Sequence, residues 1–319
     1  MQNWNLGPAA ATLILLLVGC ASAPPPTKQL HIVNLMPAHR AWWTSAAKLE
    51  QNSQIRLLRE MLVERYPEVY TKEVLKFDPT TDLDTWYPRW YGWVSPGMGK
   101  LDTLAASLPA TIPAIETRFR NEFPDFAFGG NIYFINAIGA FDGAVRSVKG
   151  QRSLLFGLDV VCAIYGDKAA IEPLFDHEFF HLYHDQYFVI GSGDTQPPLW
   201  SALWREGLAT YVARRMNPKA TDLQIFGLPE STPARVDQRR PQLAKQFLAK
   251  MTSTSEEDYA TFFLGNSSTS DPPSRSGYYL GYLVAERIGR STQLARIAKL
   301  SAEMVRTRVE EELRAMAKE

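Results

Sequence analysis

His177-Glu178-Phe179-Phe180-His181 constrains this chain more than any other stretch. Five histidines occur in 319 residues, and three of them stand at 177, 181 and 184. With so few histidines, His-Glu-x-x-His arises by chance in roughly one such chain in several hundred. The spacing has physical content on a helix. Glu172-Pro173 fits a helix start with proline at the first helical position, and the residues after it reach 187 without glycine or proline. There, positions i and i+4 lie about 40° apart and one turn along, so both imidazoles can meet one ion at about 2.1 Å. Glu178 is offset by roughly 100° round the helix, which sets it beside a water on that ion and not on the ion itself. It can take a proton from that water and return it to a leaving group, because zinc lowers the water's pKa to about 7.

A catalytic zinc needs a third protein ligand and an open fourth position. Downstream, Leu203-Trp204-Arg205-Glu206-Gly207-Leu208-Ala209-Thr210-Tyr211 has helical apolar spacing, and Asp194 to Pro198 offers a turn between two helices. The 25 residues from His181 to Glu206 let one helix end, reverse and return. Glu206 is then expected to face the histidine pair across an antiparallel contact, with the small residues Gly207 and Ala209 allowing close approach. A lone glutamate is most often a surface residue; its coupling to the upstream motif makes Glu206 the third candidate ligand. The expected cofactor is one Zn2+.

His-Glu-x-x-His followed by Glu206-Gly-Leu-Ala209 resembles the gluzincin metallopeptidases, whose aminopeptidase branch carries a Glu-Gly-x-Ala element. Gly-rich strands leading into the motif helix are also similar to a smaller family of predicted zinc-dependent proteases. The resemblance covers about residues 130 to 300, in a few short windows. It implies His177, His181 and Glu206 as zinc ligands, Glu178 as general base, and a strand above the cleft that pairs with an extended substrate. Ser153 to Val161 is the candidate for that strand. No Gly-x-Met-Glu-Asn element is present, so aminopeptidase recognition of a substrate amine does not carry over. Gly277-Tyr278-Tyr279-Leu280-Gly281-Tyr282 contains the family's Tyr-x-x-Gly, whose tyrosine donates to the oxyanion. Tyr278 matches the spacing, with Tyr279 and Tyr282 as rivals, and packing of the helix that follows is the plainer reading.

Other candidates weigh less. Positions i and i+7 are about 10 Å apart along a helix, so His184 cannot share an ion with His177 and His181; it reads as a support to the ligands or as structural. Asp185, four residues after His181, reads as orienting a ligand imidazole or as a solvated acid at the helix end. His31 and His39 carry no functional signal. Gly191-Ser-Gly193 lacks the further glycine and the preceding strand of a phosphate loop, and neither Ser192 nor Ser201 sits in a nucleophile elbow.

Around this centre the chain reads as helices, then strands, then helices, an α+β order. Residues 45 to 66 and 102 to 122 have helical spacing, the second with Pro109 and Pro113 expected to break or kink it before Phe123-Pro124. Residues 82 to 100, rich in Trp, Tyr, Pro and Gly, read as irregular. Asn131 to Ile138 and Ser153 to Tyr165 read as strands joined by turns at Gly139 to Gly143 and Lys149-Gly150. Helices follow from 166 to 319, interrupted by a polar surface excursion from Thr252 to Gly277. One mostly helical domain, 31 to 319, is expected: N-terminal helices to 125, a small sheet between 130 and 165, and the motif and C-terminal helices after it.

Ahead of it, Ala9 to Val18 form an apolar run of ten residues, too short to span a bilayer. Leu17-Val18-Gly19-Cys20 resembles a bacterial lipobox, although Met1 to Pro8 lack the usual Lys or Arg; a plain secretory signal is the alternative. The resemblance implies removal of residues 1 to 19 and lipidation of Cys20, with Ala21 as an outer-membrane signal. Residues 20 to 30 then tether the body through Ala23-Pro-Pro-Pro-Thr27, and Cys20→Ala is expected to release the protein from membranes. Cys162, the second of two cysteines, reads as a buried core thiol with no disulfide partner. Lys plus Arg equal Asp plus Glu at 34 each, which leaves no electrostatic footprint for nucleic acid. The expectation is a monomeric zinc metallopeptidase of the cell envelope acting on peptide or protein substrates. The alternatives are a zinc-binding lipoprotein without turnover and a zinc hydrolase of a non-peptide envelope substrate.

Overall fold

The computed structural model describes residues 30–166, 171–190, 196–265 and 267–319. Cys20 and its tether, Gly191-Ser-Gly193 with Ser192, and the first part of the expected 194–198 turn lie outside the described residues. Four strands form one sheet: β1 (His31–Asn34), β2 (Asn131–Ile135), β3 (Gly143–Val148) and β4 (Gln151–Gly157), in the order β1-β2-β4-β3. The first three in that order run parallel, and β3 pairs antiparallel with β4 as an edge strand, Gly143 opposite Phe156. β2 is buried along all but its first residue, as a strand covered on both faces must be. The fold is α+β, as the order of segments implied.

Before the sheet's centre come α1 (Met36–Ala46), α2 (Gln51–Leu58) with a π-turn from Arg59 to Val63, α3 (Lys72–Leu75), α4 (Leu83–Val94) and α5 (Met98–Glu122). After it come α6 (Leu158–Tyr165), α7 (Glu172–His184), α8 (Leu199–Met216), α9 (Asp222–Phe226), α10 (Thr232–Gln238), α11 (Arg240–Lys250), α12 (Glu256–Phe263), α13 (Ser276–Gly289), α14 (Leu294–Ile297) and α15 (Ala302–Met316). None of the described helices is long and apolar enough to cross a membrane.

Several local expectations are overturned, each for a packing reason. Residues 83 to 94 are helical and not irregular: Leu83, Tyr87, Trp90 and Val94 form a buried stripe at helical spacing that outweighs Pro88. Pro109 and Pro113 do not break α5, which runs unbroken for 25 residues. Both lie on its exposed side, while Leu108, Ile112, Ile115 and Phe119 are buried opposite. The run Ser153 to Tyr165 is a strand only to Gly157 and then becomes α6, a division that a mostly apolar run conceals. Gly157 is where the chain turns; a Cβ there would stand 2.1 Å from the Phe141 carbonyl oxygen. β1 and β3 were not foreseen, and Ile138, expected in a strand, has φ 51° in the loop after β2. The buried Asp159 carboxylate holds that loop, accepting the Ala137 and Gly139 N–H groups at 2.7 and 2.9 Å and Trp90 Nε1 at 2.9 Å. The polar stretch 252–277 is not wholly a surface excursion, because α12 buries Phe262 and Phe263. Cys162 is buried as expected, though on α6.

The motif helix is gripped from two sides. Phe175 of α7 stacks on Phe156 of β4 at 4.0 Å, with Phe134 of β2 in the same stack. Phe179 packs on Phe119 of α5 and on Phe126, while Tyr183 lies against Phe123. Beneath it, Asp176 is wholly buried, paired with Arg118 of α5 and accepting from Asn217 Nδ2 at 2.6 Å just beyond α8. These contacts set both the position and the rotation of α7.

Candidate metal centre

α7 begins at Glu172-Pro173 with proline in its first turn, as foreseen, and carries His177 and His181 on one face. Their Nε2 atoms stand 3.0 Å apart with the rings nearly perpendicular. α8 returns alongside and brings Glu206 Oε2 to 3.4 Å from both nitrogens. The circle through these three atoms has a radius of about 1.9 Å, just inside zinc's bond lengths of about 2.0–2.1 Å, so one point can sit at bonding distance from all three. His177, His181 and Glu206 therefore form a group that could hold a metal ion. Burial pushes the Glu206 carboxyl upward, but the two adjacent imidazoles outweigh it and hold it well below the usual carboxylate range.

Close approach does operate at Gly207, but against a different helix. A Cβ on Gly207 would lie 2.2 Å from the carbonyl carbon of Gly281 on α13, and one on Gly281 would lie 2.4 Å from the Leu203 oxygen. The small residues thus let α13, not α7, pack onto α8. That contact carries Tyr278 to the cleft, where its ring sits 6.5 Å from that of His177. Tyr279 is bound to Asp237 at 3.0 Å and Tyr282 to Glu286 at 3.1 Å, so neither rival is free to face the centre. No described residue hydrogen-bonds the Tyr278 hydroxyl.

A cleft of about 440 Å³ opens over the centre. Its wall is Ala140 to Arg146, the loop before β3 and the first half of that edge strand. This corrects the expectation for Ser153 to Val161: β4 lies one strand further in, paired on both sides, and the rest of that segment is helical. Gly143 opens β3 against Glu178; a side chain there would come within 2.9 Å of Oε1. Glu178 is itself buried, which raises its carboxyl to about 7; Glu206 and Asp142 add to the rise, and His177 and Arg146 oppose it.

Two expected supports of the centre fall elsewhere. Asp185 does not reach an imidazole: its carboxylate pairs with Arg152 of β4 and with Arg205 Nη2 at 2.8 Å, while His181 Nδ1 is buried without a partner. Two guanidinium groups hold that carboxylate through charge-assisted hydrogen bonds. His184 is structural: wholly buried, it stacks on Phe180 and on Phe188 at 4.7 Å, and burial holds it neutral with both ring nitrogens unpartnered. Ser201 is buried with its hydroxyl on the Pro198 oxygen, and His39 is a core residue bonded to Asn136.

Sequence reasoning missed Asp142, Arg146, Tyr165 and Arg275, which line the same cleft. Asp142 belongs to the stretch whose sequence marks it as a turn, yet it accepts the Tyr165 hydroxyl at 3.3 Å and the Gly143 N–H at 2.9 Å. Arg275 stands three residues before Tyr278, and that adjacency was the one signal available. No family model matches the chain, and neither a curated protein nor a solved structure matches it.

Proposed function

We propose that the protein is a zinc-dependent metallopeptidase, tethered to the cell envelope through a lipid on Cys20. The observation that carries the reading is the convergence of Glu206 Oε2 on both histidine nitrogens at 3.4 Å, with the Glu178 carboxylate buried beside them on the cleft. Two imidazoles and one carboxylate are the ligand set of hydrolytic zinc sites. When bound, zinc supplies Lewis acidity to a carbonyl and acidifies a water.

The side chains then divide the work. His177, His181 and Glu206 hold the ion. Glu178 accepts the proton of the attacking water and delivers it to the departing nitrogen; a carboxyl poised near 7 suits both directions. The Tyr278 hydroxyl, unengaged by any described residue, donates to the carbonyl oxygen as charge grows there. β3 has no strand partner on its outer edge among the described residues, so an extended peptide can add to it, which favours a peptide over other hydrolysable substrates.

The test pairs metal analysis with hydrolysis of a peptide library. Wild-type protein is expected to hold one zinc and to cleave peptides. Glu178→Gln is expected to keep the metal and lose about 10²–10⁴-fold in rate, and Glu206→Ala to lose the metal. Zinc bound at full occupancy with every peptide left intact would sink the peptidase reading, as would normal cleavage by Glu178→Gln.

A further inference from the structure

Arg275 is a charge on the cleft wall to which the chemistry above assigns no task. The other two arginines there are engaged: Arg205 with Asp185 at 2.8 Å, and Arg146 with the Val145 and Val74 oxygens at 3.0 and 3.3 Å. The Arg275 side chain makes no hydrogen bond or ion pair with any described residue, and its Nε is sealed from solvent without an acceptor. The Tyr278 ring lies against it, with its centroid 4.3 Å from Cζ. Asp142, whose charge acts on Arg275 through space, is hydrogen-bonded instead to Tyr165 and Gly143. The backbone at Arg275 is also unusual, at φ 57° and ψ 21°, a left-handed conformation that disfavours any residue with a Cβ.

A guanidinium whose sealed Nε–H has no acceptor leaves hydrogen-bonding capacity unmet, and backbone strain of this kind gathers at ligand sites. A ligand that fills these donors is a hydrogen-bond acceptor, and the positive charge of the guanidinium favours an anion. The planar fork of arginine matches a carboxylate through two parallel hydrogen bonds. Asp142, Glu178 and Glu206 share the cleft and would repel a dianion, so a singly charged carboxylate suits the local field. The two ring separations together hold Arg275 Cζ within about 11 Å of the His177 ring. After the contacts at each end, that distance leaves room for one or two extended residues at about 3.4 Å each.

We infer that Arg275 is a carboxylate receptor that selects peptides bearing a carboxylate one or two residues from the bond to be cleaved. The reference to a cleaved bond rests on the peptidase reading; the capture of a carboxylate does not. A free C-terminus and an acidic side chain both present this group.

Three versions of one short peptide separate the sources: a free C-terminal acid, its amide, and an amide with glutamate as the last residue. Their affinities for the full-length protein are measured by calorimetry with metal chelated, so that nothing turns over, and KM and kcat are measured with zinc restored. The acid, the glutamate amide or both are expected to bind about ten- to a hundredfold tighter than the plain amide, and Arg275→Gln is expected to erase the difference. Arg275→Lys, which keeps the charge without the fork, is expected to reduce it; should Arg275→Gln not fold, an undiminished preference in Arg275→Lys overturns the assignment. Equal binding of all three peptides by wild-type protein also overturns it, even if all three are cleaved, and leaves the peptidase reading in place. Selective binding with no cleavage upholds the receptor and removes the peptidase.

Discussion

Gly207→Ala tests the helix contact on which the centre depends. An alanine Cβ at 207 would stand 2.2 Å from the Gly281 carbonyl carbon and 2.4 Å from its oxygen. Ordinary carbon contacts need about 3.5 Å, so α8 and α13 must separate by about 1.3 Å, and both neighbours are backbone and cannot swing aside. Glu206 is the adjacent residue on α8 and Tyr278 stands on α13. A metal ligand tolerates about 0.2 Å of displacement, so the shift is several times what the centre can absorb. Overpacking of this kind costs about 1–3 kcal/mol, against about 1 kcal/mol that helix propensity returns for replacing glycine. The net cost is up to about 2 kcal/mol, so the expected result is a Tm lowered by up to about 8 °C and metal affinity reduced about 10–100-fold, read by thermal unfolding and by competition with a chelator. Gly92→Ala is the control: its Cβ meets nothing within 4 Å on α4, and the change is expected to stabilise by about 0.5–1 kcal/mol. A Gly207→Ala protein with wild-type Tm and wild-type metal affinity would refute the contact as described.

Two further outcomes follow from the cleft. Tyr278→Phe is expected to lower kcat by about 10²–10³ with metal content unchanged, since it removes a donor aimed at developing charge; undiminished turnover takes Tyr278 out of the mechanism. Glu178 has a folded-state pKa of about 7, raised by burial above its ordinary 4.5. Its contribution to stability is therefore whole below about pH 4.5 and is lost as pH rises through about 7, a change of about 3 kcal/mol for this shift. In chelator-treated protein, Glu178→Gln escapes that loss, so its Tm relative to wild type should climb between about pH 5 and about pH 8; a flat difference would count against the burial of this carboxyl.

The centre was legible because its information is local. His177 and His181 need only the helical repeat to share a face, and Glu172-Pro173 marks where that helix starts. Glu206 was within reach because two helices joined by a short return meet side by side. The strand above the cleft was not legible. An apolar run such as Ser153 to Tyr165 has no period to betray its change from β4 to α6, and β3 owes its place to pairing with β4 and to Gly143 fitting against Glu178. Proline misled at 88, 109 and 113, where buried stripes on the opposite faces outweigh a missing hydrogen bond.

By itself the sequence determined the α+β order of segments, the motif helix and three groups able to surround one ion, since each follows from spacing along a single element or between neighbouring ones. Only the tertiary structure decided what Asp185 pairs with, which helix Gly207 admits, which tyrosine faces the cleft, and that Arg275 stands in its wall with no hydrogen bond or ion pair to a described residue. Those outcomes depend on which surfaces meet across long separations in the chain, and a side chain's partners are set by competition among all the groups that packing brings within reach.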